Sequence, residues 1–84
     1  MIRLLYFARL REALGTGGET LELPKGVDTL GRLRAHLAGR GAAWAVEMAP
    51  ARNLRAAVNQ DVANPETSLK DGDEVAFFPP VTGG

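Results

Sequence analysis

The 84-residue sequence contains no cysteine, a single histidine and no excess charge of either sign. The absence of cysteine excludes disulfides, thiol catalysis and thiolate metal ligands together, so any sulfur that the protein handles comes from another molecule. Ten basic and ten acidic residues give a formal net charge of 0, which excludes recruitment of nucleic acid or an anionic membrane by bulk charge. A chain of this length forms one domain with a modest core.

Long apolar runs are also missing. The apolar stretch at residues 1–7 is too short for a signal peptide or a membrane span, and no longer stretch follows it. We therefore expect a cytoplasmic protein with no membrane partner.

The pattern of apolar residues predicts four strands and one main helix. The helix begins with Asp28 or Thr29 as N-cap and ends before Gly39. Its apolar stripe consists of Leu30, Leu33, Leu37 and Ala38. The strands are predicted at Ile2–Ala8, Glu19–Leu23, Leu54–Asn59 and Glu74–Phe78, with short helical segments at Arg9–Leu14 and Ala42–Met48.

The order strand, strand, helix, strand, strand indicates an α+β fold, in which the first two strands form a hairpin and the helix packs across a mixed sheet. This is the ubiquitin-like β-grasp arrangement, and by analogy with that fold we place the last strand beside the first and parallel to it. The predicted globular domain covers residues 1–78, and an extended tail covers residues 79–84.

The C-terminal tail is the most distinctive feature of the sequence. Gly83 and Gly84 have no β-carbon, so they can extend into a narrow cleft and present an unhindered carboxylate to another enzyme. Pro79 and Pro80 favour an extended path away from the sheet. The alternative is an ordinary frayed terminus, which is common in proteins.

Two phenylalanines provide a second signal. Phe7 and Phe78 alternate with the core-facing residues of their strands. This alternation places both on the sheet face that the helix leaves open. If the first and last strands are adjacent, the two rings and Val62 form a patch of the kind that binds a protein partner. The alternative is scattered surface aromatics.

The titratable residues do not indicate a metal site or a catalytic site. His36 has no second histidine or cysteine to complete a metal site, and we interpret it as a solvated helix residue. The acidic run Asp71, Asp73 and Glu74 lacks the later glutamate of a calcium loop and is better explained as a turn before a strand. Four of the arginines are interpreted as solvated, with Arg11 close to the predicted patch; they are Arg9, Arg11, Arg32 and Arg34.

Three segments carry a resemblance that runs nearly the length of the chain. They are residues 6–15, which include Tyr6-Phe7-Ala8 and Arg11-Glu12, residues 56–60 (Ala-Ala-Val-Asn-Gln), and the closing block at residues 71–84 (Asp-Gly-Asp-Glu-Val-Ala-Phe-Phe-Pro-Pro-Val-Thr-Gly-Gly). In these segments the sequence closely resembles the MoaD family, the small ubiquitin-like sulfur carriers of molybdopterin synthase. Residues 38–52 match this family poorly.

The resemblance implies a carrier with no catalytic activity of its own and no bound cofactor. An E1-like activating enzyme uses ATP and Mg²⁺ to adenylate the Gly84 carboxylate, and a sulfur donor then displaces AMP to leave a thiocarboxylate. The tail, with Gly83 next to its end, inserts into the large synthase subunit and donates sulfur to cyclic pyranopterin monophosphate. The family complex is a heterotetramer.

Carried over residue by residue, the resemblance assigns large-subunit contacts to Phe7, Val62, Phe78 and the tail residues Pro79, Pro80, Val81 and Thr82. Val62 replaces a larger aliphatic residue of the family. Three alternatives stay open: a carrier for thiamine or tRNA thiolation, a modifier that joins Gly84 to lysines, and a plain interaction module without a covalent role.

Overall fold

The fold is known from a computed structural model, which describes residues 1–80. These residues form a mixed five-stranded sheet with three helices. In chain order the elements are β1 (Ile2–Tyr6), α1 (Arg9–Leu14), β2 (Gly18–Leu21), α2 (Leu30–Ala38), α3 (Ala42–Glu47), β3 (Arg55–Val58), β4 (Asp61–Val62) and β5 (Glu74–Phe78). The architecture is the predicted α+β ubiquitin-like β-grasp.

The strand order is β2-β1-β5-β3-β4. The first two strands pair antiparallel, as the hairpin prediction required. The last strand lies between β1, to which it is parallel, and β3, to which it is antiparallel. Both the neighbour and the direction predicted for β5 are therefore confirmed, and the chain leaves the sheet from its central strand.

The core lies between one face of the sheet and the helices. Alternate residues of β1 and β5 point into it, and the predicted leucine stripe of α2 covers them. Thr29 is the N-cap of α2, where its hydroxyl accepts a hydrogen bond from the Arg32 N–H. The buried residues of these three elements are Ile2, Leu4, Tyr6, Leu30, Leu33, Leu37, Val75 and Phe77.

Some predicted boundaries are wrong by one or two residues, and the short strand β4 was not predicted. β1 ends at Tyr6 because Ala8 takes a positive φ of 55° as the chain turns into α1. β2 begins one residue early, at Gly18, where a β-carbon would lie 2.8 Å from the Leu4 carbonyl oxygen. β2 also ends earlier, at Leu21, and β3 lacks both predicted end residues, Leu54 and Asn59. The segments predicted as short helices are confirmed as α1 and α3.

An aromatic and charged network joins β1, β2 and the helices at one side of the core. The buried Tyr6 ring packs edge-on against Trp44 and stacks with Phe77, at centroid distances of 5.3 and 6.2 Å. Its hydroxyl donates to Glu19, which also accepts two hydrogen bonds from Arg40. Burial raises the pKa of Tyr6, while the Arg40 hydrogen bond lowers the pKa of Glu19. The hydroxyl of the buried phenol is therefore held by an ionised carboxylate.

The β3–β4 turn is fixed by one side chain. Asn59 and Gln60 both have positive φ, at 50° and 72°, as a two-residue hairpin turn requires. The Asn59 side-chain amide donates to Asp73 at 2.9 Å, and its oxygen accepts from the Glu74 N–H at 3.0 Å. The hydrogen bond from Asn59 is the main cause of the lowered pKa of the buried Asp73. Asn59 thus ties the turn to the start of β5.

We expect Asn59→Ala to lower the free energy of unfolding by about 2–3 kcal/mol, because it strains a left-handed position and removes a partner of a buried carboxylate. Urea denaturation measures this change. The matched variant is Gln60→Gly, since Gln60 has the same sign of φ but, unlike Asn59, makes no side-chain hydrogen bond within residues 1–80. Gln60→Gly is expected to be neutral or mildly stabilising, and equal unfolding free energies for Asn59→Ala and the parent would contradict the assigned role.

Candidate functional site

An apolar row crosses the sheet face opposite the helices. The register places Leu5 beside Ala76, Ala76 beside Ala57, and Ala57 beside Val62, so the row runs from β1 to β4. Val62 is 76% exposed at the end of this row. The row forms because successive side chains of a strand point to opposite faces of the sheet, so the residues between the core-facing ones lie on the open face.

Phe7 and Phe78 lie one step farther along the same face. The Phe7 N–H donates to the Phe77 carbonyl at 3.2 Å, which continues the parallel register past Tyr6 and puts Phe7 next to Phe78. Phe7 is 48% exposed, whereas Phe78 is half-buried and lies opposite Arg55 on β3. We call these residues and the row the open-face patch: Leu5, Phe7, Ala57, Val62, Ala76 and Phe78.

The tail begins beside this patch. Pro79 and Pro80 follow β5 directly and are half-buried. They line a cleft of about 250 Å³ together with Arg9 and Glu47. Four further residues of the predicted site, Val81, Thr82, Gly83 and Gly84, lie outside the described residues.

An ion cluster forms one side of the cleft. The Glu47 carboxylate, at the end of α3, is about 10% exposed and accepts two hydrogen bonds from the Arg9 Nη2, at 3.1 and 3.2 Å. The Arg52 Nη2 lies 3.9 Å from the same carboxylate. Arg9 is exposed, as predicted, with 57% of its side chain accessible, but its pairing with Glu47 was not predicted. The isolated acid in the apolar run Ala42–Met48 was the available sequence signal.

Arg34 is a clearer correction. It was predicted to be solvated, but its guanidinium donates to the backbone carbonyls of Met48, Ala49 and Arg52. Burial lowers the pKa of Arg34 without neutralising it, because an arginine remains charged well above neutral pH. The side chain fixes the loop between α3 and β3, and with it the position of Arg52.

The other titratable residues have structural or solvent contacts. His36 is exposed on α2, as predicted, and so is Arg32, which pairs with Asp28. Asp73 accepts hydrogen bonds from the Lys70 N–H and from Asn59, which agrees with its interpretation as a turn residue. Across residues 1–80, no group of three acidic or histidine side chains is arranged to hold a metal ion. None of the helices described is long and apolar enough to cross a membrane.

Comparison with known proteins places these features in a family. The profile of the ThiS family matches residues 4–84. The molybdopterin synthase sulfur carrier subunit of Escherichia coli (strain K12) is 45% identical over 84 residues, which are all of both chains. The match therefore includes the closing block as well as the open-face patch.

Solved structures show the same fold. The putative molybdopterin converting factor subunit 1 of Pyrococcus furiosus is 30% identical, with a TM-score of 0.78 and coverage of 95% of this chain and 97% of the other. The small archaeal modifier protein 1 of Haloferax volcanii is 25% identical, with a TM-score of 0.76 and coverage of 99% and 98%. Proteins named as subunits and proteins named as modifiers thus share this architecture.

Proposed function

Because this chain belongs to the ThiS family, we propose that it is the sulfur carrier subunit of a molybdopterin synthase. The observation that carries the proposal is the 45% identity with a protein of that name over the full length of both chains. The fold by itself is less specific, since a modifier protein shares it. The higher identity, 45% with the carrier subunit against 25% with the modifier, favours the carrier.

In the proposed cycle the carboxylate of Gly84 is the group that changes. An activating enzyme joins this carboxylate to the AMP part of ATP, which requires Mg²⁺ and releases pyrophosphate. A sulfur donor then displaces AMP, so that the terminus becomes a thiocarboxylate. Adenylation makes the acyl carbon reactive by supplying a good leaving group, and the acids and bases for this step belong to the partner enzymes.

The large synthase subunit is the proposed recipient of the tail. The open-face patch and the root of the tail are contiguous, because Phe78 ends β5 and Pro79 follows it. A partner that covers Phe7 and Phe78 therefore receives the tail at the same time. We propose that Phe7, Val62 and Phe78 contact the large subunit and that sulfur passes to cyclic pyranopterin monophosphate within a heterotetramer.

The carrier itself binds no cofactor in this proposal. ATP and Mg²⁺ belong to the activating enzyme, and the dependence on ATP places the cycle in the cytoplasm. The lysine-modifier alternative has one specific observation in its favour, the structural likeness to the archaeal modifier. It predicts an amide between Gly84 and a lysine, which differs in mass from a thiocarboxylate.

The proposal is tested by the intact mass of the protein after incubation with its activating enzyme, ATP and a sulfur donor. We expect a gain that matches replacement of one oxygen by sulfur, located at Gly84 by fragmentation. The control reaction omits ATP and is expected to leave the mass unchanged. An unchanged mass in the complete reaction, or formation of lysine adducts in its place, would refute the sulfur-carrier assignment.

A further inference from the structure

The cleft at the root of the tail has a charge that the carrier cycle leaves unexplained. It is lined by Arg9, Glu47, Arg52, Asn53 and the two prolines. Two guanidinium groups and one carboxylate give these lining residues a net charge of +1, although the whole chain has a net charge of 0. The cleft is therefore a local cationic site on a neutral protein.

The three charged groups of the cleft differ in burial and in their contacts. Glu47 is nearly buried and takes both hydrogen bonds from Arg9, so that pair is already satisfied. Arg52 lies 3.9 Å from Glu47, beyond hydrogen-bond distance, and its side chain is 43% exposed. The carbonyl of Arg52 accepts from Arg34, which holds the backbone beneath it. Arg52 is thus a positioned cation at the rim of the cleft.

We propose that this cleft binds a carboxylate side chain of the large synthase subunit when the tail is delivered; the inference rests on the proposed function. The Arg52 guanidinium donates no hydrogen bond to residues 1–80, and a guanidinium matches a planar carboxylate through paired, charge-assisted hydrogen bonds. At about 250 Å³, the cleft has room for a side chain and not for a whole nucleotide.

The position of the cleft identifies the partner. Arg9 lies two residues after Phe7, and Pro79 follows Phe78, so the cleft lies at the same end of the sheet as the two phenylalanines. A large subunit that covers both phenylalanines and receives the tail after Pro80 would therefore lie close to this cleft and to Arg52. Opposite charges at such a rim contribute to register and to the rate of association more than to the total affinity.

The test uses the full-length chain, the purified large subunit and isothermal titration calorimetry. We expect Arg52→Gln to raise the dissociation constant about five-fold, as the loss of one partly exposed ion pair does. Arg52→Glu, which repels the proposed carboxylate, is expected to raise the dissociation constant about ten-fold or more. The salt dependence of binding is expected to be shallower for Arg52→Gln than for the parent chain.

The matched control is Arg32→Gln. It removes the same charge from an exposed arginine that contacts Gly26 and Asp28 and not the tail prolines. Equal affinities of Arg52→Gln and Arg32→Gln for the large subunit would overturn the inference. So would an Arg52→Gln chain that binds the large subunit normally and is impaired only in sulfur loading by the activating enzyme. Failure of the proposed function is distinguishable from both results, because it leaves the parent chain without any gain of sulfur.

Discussion

Deletion of Gly84 is expected to abolish sulfur loading while leaving the fold unchanged. The shortened chain still ends in a glycine carboxylate, but that group lies about 3.5 Å short of its original reach. Reactions of this kind depend on placing the reacting atoms within a fraction of that distance. Intact mass after the complete loading reaction measures the loss, and circular dichroism and thermal unfolding establish that the globular part is unaffected.

The companion variant for this experiment is Gly84→Ala. It keeps the chain length and the carboxylate but adds a β-carbon, so its loading is expected to be slowed rather than abolished if the receiving cleft is narrow. Loading of the Gly84-deleted chain at the parental rate would show that the terminal residue is not the acceptor. Both variants leave Arg52 in place, so they test the carrier cycle independently of the proposed cationic cleft.

Phe77→Ala is expected to lower the free energy of unfolding by about 3–5 kcal/mol, the usual cost of truncating a buried aromatic side chain. Phe77 is 1% exposed, lies on the central strand and stacks on Tyr6. Its removal leaves a cavity between the sheet and the helices. For a domain of this size the change is a large part of the total stability, and urea denaturation measures it.

The adjacent variant Phe78→Ala is expected to affect partner binding more than stability. Phe78 points to the open face, where it is half-buried. We expect its truncation to weaken large-subunit binding about ten-fold or more, as for an aromatic at an interface centre, with a smaller loss of stability than Phe77→Ala. If Phe78→Ala destabilised the chain as much as Phe77→Ala and bound the large subunit normally, the open-face patch would not be the interface.

The features that follow from local periodicity could be predicted from the sequence. The leucine stripe of α2 and the exact limits of β5 follow from alternation and from turn residues on either side. The same parity argument placed Phe78 on the face opposite Phe77. Parallel pairing of β1 and β5 came from fold analogy, because no local pattern encodes the direction of a distant strand.

The features that depend on distant partners could not be predicted in this way. The acceptors of Arg34 lie 14 to 18 residues along the chain, and Glu47 is 38 residues from Arg9. A charged residue with a remote partner has the same sequence signature as a solvated one, so the contacts of Arg34 and the pairing of the exposed Arg9 were both missed. The positive φ of Ala8 was missed for a related reason, since a turn at alanine is imposed by the elements on either side.

The two prolines after β5 end the backbone hydrogen bonding of the central strand. Neither proline has an N–H to donate, so the hydrogen-bond ladder stops at Phe78 and cannot be extended or unzipped through residues 79 and 80. Seating or withdrawing the tail therefore breaks no strand hydrogen bond donated by residue 79 or 80. In the proposed cycle, the terminus can therefore react and be released without loss of the β1–β5 and β3–β5 pairing that holds the central strand.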